Sequence, residues 1–264
     1  MDVKFEKRTF LKSLKTMLKV DFKRMFTMPL VYIMAGVSFV IPILILVMTT
    51  TMGGQPDPIT GEEATEMFTN VWQSISSVSG GNAGMAMDLT TMCNMNLMYF
   101  MIAVLVCVFT AEDFRSGYAK NLFTVRSKKV DYVFSKTLIC FIGGVIMILA
   151  YFIGAMLGGA IAGLPFTMEG FNMSGIVACM LAKILLVAVF VAIFLTFAVL
   201  AKQRIWMSIL LSCGVGAFLF MMIPIMTPLN ANFIHVIMTL AGSLLFAVGL
   251  GAVSNAILNK TSLV

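Results

Sequence analysis

A chain of 264 residues that is 60% hydrophobic, 11% charged and has a mean hydropathy of +1.00 falls outside the soluble globular class, in which about a quarter of residues carry charge. The formal net charge of +6 does not point to nucleic acid, because the basic residues flank apolar runs as the positive-inside rule requires. The length accommodates about six spans of roughly 20 residues each, so the expected class is an all-α integral membrane protein with six transmembrane helices.

Residues 1–29 are read as a cytoplasmic amphipathic interfacial helix. At about 100° per residue, Phe10, Leu11, Leu14, Met17, Leu18, Phe22 and Met25 share one face, and Arg8, Lys12, Lys15, Lys19 and Lys23 lie opposite. An apolar face backed by lysines suits the surface of an anionic leaflet. Asp21 falls on the apolar side, and Arg24, three residues on, is its expected partner. The first apolar run has no small-residue cleavage site and follows a long basic leader, so it is expected to act as a start-anchor.

Span one is placed at 30–50, with Pro42 inside it expected to kink it. Residues 51–91 carry Asp57, Glu62, Glu63, Glu66 and Asp88 with no Lys or Arg. They read as an acidic extracellular loop or small subdomain, in which TGEEATEMFTNVWQSISSV has the makings of a short helix. Span two is placed at 92–111. The connection 112–136 follows, then span three at 137–163, span four at 174–200, span five at 205–226 and span six at 233–256. PIMTPLNAN, which contains the external link 227–232, has two prolines, Pro224 and Pro228, and two asparagines, the makings of a break at the end of span five that lets a short piece dip back toward the membrane. A cytoplasmic tail, 257–264, ends the chain.

Lys and Arg sort cleanly by side. The leader, the 112–136 connection, AKQRI and Lys260 together hold 17 of the 18, all on one side of a six-span chain. That places both termini in the cytoplasm of a cell membrane, a bacterial plasma membrane by this reading. The exception is Lys183, inside span four, which either snorkels outward or faces a polar cavity on a translocation path.

Much of the usual site chemistry has no counterpart here. The sequence has no GxxxxGK[ST] and no CxxC, and its five cysteines fall in or beside different apolar runs, where they read as packers rather than ligands. SVSGGN at 77–82 reads as a loop. His235, the single histidine, reads as interfacial. The 24 methionines, including MAMDLTTMCNMNLM, read as packing or an adaptable apolar lining rather than a copper site. Gly154, Gly158, Gly159 and Gly163 in span three, with Gly242, Gly249 and Gly251 in span six, have the spacing of helix-packing glycines. No metal site and no catalytic residue is expected.

The 112–136 connection is too elaborate for a tether. It carries both charge signs and an apolar side formed by Tyr118, Leu122, Phe123 and Val125, which suits docking to a protein surface. With the leader LKTMLKVDFKRMFTMPLVYI, the segment EDFRSGYAKNLFTVRSKKVDYVFSKTL resembles the membrane subunit of ABC-2-type transporters, of type V exporter architecture. Glu112, Gly117 and Lys136 occupy the places of the acid, the glycine and the lysine of that pattern. The resemblance implies a permease without nucleotide site or cofactor of its own. ATP and magnesium would sit on a separate ABC ATPase subunit, in an assembly of two permeases, identical or paralogous, and two ATPases.

The same resemblance makes Glu112, Asp113, Phe114, Arg115, Gly117, Tyr118, Lys120, Leu122, Phe123, Arg126, Lys128 and Lys129 the ATPase-coupling segment. Phe10, Leu14, Lys15, Met17, Leu18, Lys19 and Lys23 become an interfacial helix against lipid beside it. Members export varied cargo, and spans this apolar favour a hydrophobic or amphipathic compound such as an antimicrobial peptide. The competing reading is a scaffold or sensor partner of a signalling or immunity complex, using the acidic loop as receptor and transporting nothing. An intramembrane enzyme built on His235 is a third.

Overall fold

The computed structural model describes residues 10–52, 68–76, 93–125, 129–167 and 172–260, and among them every regular element is helical. The all-α class follows from this. The acidic residues of the 51–91 loop, together with Arg126 and Lys128, lie outside the described residues.

The leader forms α1 (Phe10–Thr27). Leu14, Met17 and Met25 are buried, and Lys15, Lys19 and Lys23 are exposed, as the 3.6-residue period dictates. After a one-residue break at Met28, Pro29 opens α2 (Pro29–Met52), a position where its missing N–H removes no helical hydrogen bond. A short 3₁₀ turn, Val71–Ser74, stands where the acidic loop is described. A second, Met95–Leu97, leads into α3 (Met98–Arg115).

The connection after α3 is narrower than the apolar run suggests. The α3 helix continues through Glu112, Asp113, Phe114 and Arg115, and α5 (Val130–Ala162) already begins seven residues before Thr137. Between them lies α4 (Tyr118–Val125), an eight-residue helix. Gly117 has φ of 73°; this left-handed conformation, easy only for glycine, turns the chain from α3 into α4. Next come α6 (Met173–Ala201), α7 (Ile205–Phe220), α8 (Ile223–Met226) and α9 (Phe233–Lys260).

Among the described residues, five helices are long and apolar enough to cross a membrane: those of α2, α3, α5, α6 and α9. The run expected as a fifth span, 205–226, differs. It breaks at Met221–Met222 into the 16-residue α7 and the four-residue α8. Alone, α7 is about 24 Å long, short of a hydrocarbon core of roughly 30 Å. The chain through α7 and α8 nonetheless runs from one end of the bundle to the other. Gln203 Nε2 donates to the Phe114 carbonyl at 3.3 Å, beside the C-terminus of α3, whereas Thr227 lies against Lys183 and Ser76 at the far end.

Helix α6 is the axis. It packs on α9, α3, α7 and α5, and α2 lies along α5. The consecutive residues Val189 to Leu195 are all buried, so this stretch is covered right round the helix, which is why its apolar pattern has no polar face to read. Peripheral α2 and α9 turn Ile33, Leu44, Met48, Leu245 and Val248 outward, where a bilayer would cover them.

Two of the span-three glycines work within the chain. A Cβ on Gly154 would collide with the Phe39 carbonyl oxygen, and one on Gly158 would come within 2.8 Å of Ile43 Cα. The α2 backbone therefore lies directly on α5 beside Pro42, as small residues allow. Gly163 has a different role: it ends α5 in the left-handed region, with φ of 71°. A Cβ on Gly242 or Gly249 would meet nothing within 4 Å. Gly154→Val is accordingly expected to push α2 off α5, costing about 1–3 kcal/mol or more, read as a lower melting temperature in detergent. Gly249→Val is expected to leave that temperature unchanged.

Candidate functional site

At the end of the bundle where α1, α4 and the C-terminus of α3 meet, four charged side chains are gathered out of water. Asp21 and Arg24 come from α1, Asp113 from the last turn of α3, and Lys136 from the second turn of α5. Arg24 Nη1 lies 2.7 Å from Asp113 Oδ1, and Lys136 Nζ lies 2.7 Å from Asp113 Oδ2 and 3.0 Å from Asp21 Oδ1. Asp21, Asp113 and Lys136 are each 0% exposed. Two carboxylates face two cations, so the cluster is neutral as a whole, the condition under which charges tolerate burial.

Hydroxyls fill the remaining lone pairs. Tyr132 OH donates to Asp113 Oδ2 at 2.9 Å, and Ser135 Oγ donates to Asp21 Oδ2 at 2.5 Å. Aromatic rings close the sides: Lys136 Nζ lies 3.8 Å from the centre of the Phe109 ring, and the Arg24 guanidinium stacks 3.9 Å from that of Tyr118, within cation–π range. Burial works against the Arg24 charge, but Asp113, Tyr118 and Asp21 outweigh it and raise its pKa further. Burial, then the neighbouring Asp21, raises the Tyr118 phenol, so both keep their usual protonation at neutral pH.

The expected Asp21–Arg24 pair is thus replaced by tertiary pairing. Arg24 reaches across to Asp113, and Asp21 takes Lys136. The helical spacing of the two would also permit a local pair, but α3 and α5 offer both residues partners in a drier place.

The cluster organises the predicted coupling residues. Asp113 and Phe114 are buried and hold the helices together. Arg115 and Lys120 are exposed, and Glu112, Tyr118, Leu122, Phe123 and Lys129 are half-buried. Helix α4 is secured by aromatic contacts. The Phe123 ring meets Tyr132 edge-on at 5.2 Å, while Tyr118 covers Arg24. Lys129 Nζ donates to the Leu258 carbonyl at 2.5 Å in the last turn of α9, where a cation also suits the helix dipole. The apolar face of α1, read as lying against lipid, is instead turned into the bundle: Leu14 and Met17 are buried, Leu18 is half-buried and α1 packs on α5, while Lys15, Lys19 and Lys23 point outward and Phe22, placed on the same apolar face, is exposed; Phe10 begins α1.

The remaining predicted residue, Lys183, lies in a separate polar pocket toward the opposite end. Its ammonium meets Asn96 Oδ1 at 2.6 Å and Thr227 Oγ1 at 3.1 Å, and is 0% exposed. It does not snorkel. His235 Nδ1 accepts from the Asn232 N–H at 3.2 Å, fitting the N-terminus of α9. Among the described residues no group of three His, Cys, Asp or Glu is placed to hold a metal.

The sequence signalled Asp21 as a charge out of place and Lys136 as the lysine of the pattern the chain resembles, and it held no signal for Tyr132 or Ser135. A search against known proteins finds no matching family model, no matching characterised protein and no matching solved structure.

Proposed function

We propose that the chain is the permease subunit of an ATP-driven exporter of the ABC-2 type, with α4 as the handle on which a separate ATPase pushes. One observation carries the reading. The buried cluster of Asp21, Arg24, Asp113 and Lys136 ties α1, α3 and α5 into one block at the root of α4. A short helix with Lys120 exposed on it is thereby attached to a block of three other helices, so force on α4 reaches the bundle through them.

In this reading α7 and α8 complete a sixth crossing, the basic end faces the cytoplasm, and lipid covers the outward faces of α2 and α9. ATP and magnesium belong to the partner. The cargo is hydrophobic or amphipathic, in keeping with the apolar bundle.

The test is co-purification with a candidate ATPase encoded beside the chain. Arg115→Glu/Lys120→Glu reverses two exposed charges on either side of Gly117 and leaves the buried cluster intact. The expected result is a permease that folds normally, retains about a tenth or less of the bound ATPase, and stimulates no hydrolysis. Retention of a full complement would remove α4 as the docking element. Changes to the 51–91 loop that abolish a signalling response, with no loss of transport, would favour the sensor reading.

A further inference from the structure

The polar cluster around Lys183 is buried like the first one but, among the described residues, lacks negative charge. Lys183 lies about 15 Å along α6 from its start, and no carboxylate among the described residues pairs with it. Its two partners, Asn96 Oδ1 and Thr227 Oγ1, are neutral, so among the described residues the third ammonium N–H has no acceptor.

More donors stand on the turn that supplies Asn96. Among the described residues, Asn96 Nδ2 is buried without a partner, and so is Asn94 Nδ2. Neither amide gains by being turned round. The Asn96 oxygen already faces the Lys183 ammonium, and the Asn94 oxygen accepts from the Asn96 backbone N–H at 2.9 Å. Nearby acceptors are engaged: the Lys183 carbonyl by Tyr99 OH at 2.9 Å, and the Thr227 carbonyl by Ser76 and Cys179 at 2.6 and 3.4 Å. Buried polar clusters normally satisfy themselves. Among the described residues, this one presents a cation and two amide donors with nothing to receive them.

We propose that the cluster binds the carboxylate of an amphipathic ligand, a hydrophobic chain ending in COO⁻, with Lys183 as counter-charge and the amides of Asn94 and Asn96 as donors. One cation balances one negative charge, which suits a carboxylate and disfavours a phosphate dianion. The walls suit the tail: Met95 and Met98 are buried beside the site, and Tyr99 stacks on Phe190 at 4.5 Å. The shared chemistry has two sources, a fatty acid or a peptide C-terminus.

The segment 68–76 adjoins the cluster through Ser76 and is the route of access in this proposal. It is held by Asn70 Nδ2 to the Thr167 carbonyl at 2.8 Å, Trp72 Nε1 to the Phe166 carbonyl at 2.7 Å, and Ser76 Oγ to the Thr227 carbonyl. These few bonds must open to admit a ligand, and Trp72 reports on them. The only other tryptophan, Trp206, stands exposed on α7 and can be replaced by Phe.

The inference names the end group of the cargo and rests on the permease reading for transport alone; binding is measured on the full chain without an ATPase. The protein carrying Trp206→Phe, in nanodiscs, is titrated with dodecanoate, dodecanol, acetate, and a hydrophobic hexapeptide with a free or an amidated C-terminus. The expected result is a saturable change in Trp72 emission and a raised melting temperature with dodecanoate, the free-acid peptide or both. Which of the two responds identifies the source.

Lys183→Met should weaken this binding about tenfold or more. Asn96→Asp supplies an internal carboxylate to Lys183 at nearly unchanged shape. It should fold at least as well and also lose the response. An equal response to dodecanol, or to acetate, overturns the proposal, as does undiminished binding in Asn96→Asp. A positive titration with no ATPase association keeps the subsite and removes the permease; the converse removes the subsite alone.

Discussion

Asp113→Ala is expected to give the largest loss of stability of any single substitution in the chain. Its carboxylate is the junction of the buried cluster, paired with Arg24 at 2.7 Å and Lys136 at 2.7 Å, and accepting from Tyr132 at 2.9 Å. Truncating it leaves two cations facing Asp21 alone and orphans the Tyr132 hydroxyl. Removing one member of a buried, hydrogen-bonded ion pair costs about 3–5 kcal/mol, a large fraction of the stability of any single domain. The measurement is the yield of monodisperse protein and its melting temperature in detergent. Asp113→Asn/Lys136→Met removes one charge of each sign and restores neutrality. It should recover a substantial part of the loss, because the penalty comes from imbalance more than from missing contacts. An Asp113→Ala protein melting within a degree or two of the parent would show that the cluster bears little of the load assigned to it.

The two clusters differ in how far the sequence disclosed them. Helical periodicity placed α1 well, and the apolar runs located α2, α6 and α9 to within a few residues. Periodicity also showed Asp21 to be out of place on an apolar face. It supplied only an in-helix partner, Arg24, because one-dimensional spacing contains no information about α3 and α5. The starts and stops of α3 and α5 were misjudged for a related reason. Hydropathy marks where side chains become polar, whereas a helix continues as long as its polar residues find partners. Glu112 to Arg115 and Val130 to Lys136 are helical, and Asp113 and Lys136 are there neutralised by charges from neighbouring helices.

In the opposite pocket Lys183 was evident as an intramembrane cation. Asn96 was not, since a neutral amide within CNMNLM interrupts no pattern and the methionines around it drew the reading. The break of the fifth run into α7 and α8 was equally hidden. Its composition is uniformly apolar, and only Pro224 hinted at an interruption.

Asn96 and Lys183 offer the second large effect, as a difference between single and double substitutions. Lys183→Met alone removes a buried ammonium but strands Asn96 Oδ1 and a Thr227 lone pair, both inside the bundle. An acceptor left without a donor in a dry site costs about 1–3 kcal/mol, so the single variant is expected to gain little or to lose stability despite shedding a costly charge. In Lys183→Met/Asn96→Leu both partners become apolar at similar size. Such replacements are neutral or stabilising by about 1–4 kcal/mol, and the double variant should melt above the single and at or above the parent. The cycle closes with Asn96→Leu alone, which leaves the ammonium with only Thr227 and should be the least stable of the four. Thermal melts of the four proteins in one detergent read the coupling. Additive effects would mean that the lysine and the amide do not share their burial. Strong coupling with a stabilised double variant would mean that the polar pair is kept at the expense of stability, as a binding site is and a packing contact is not.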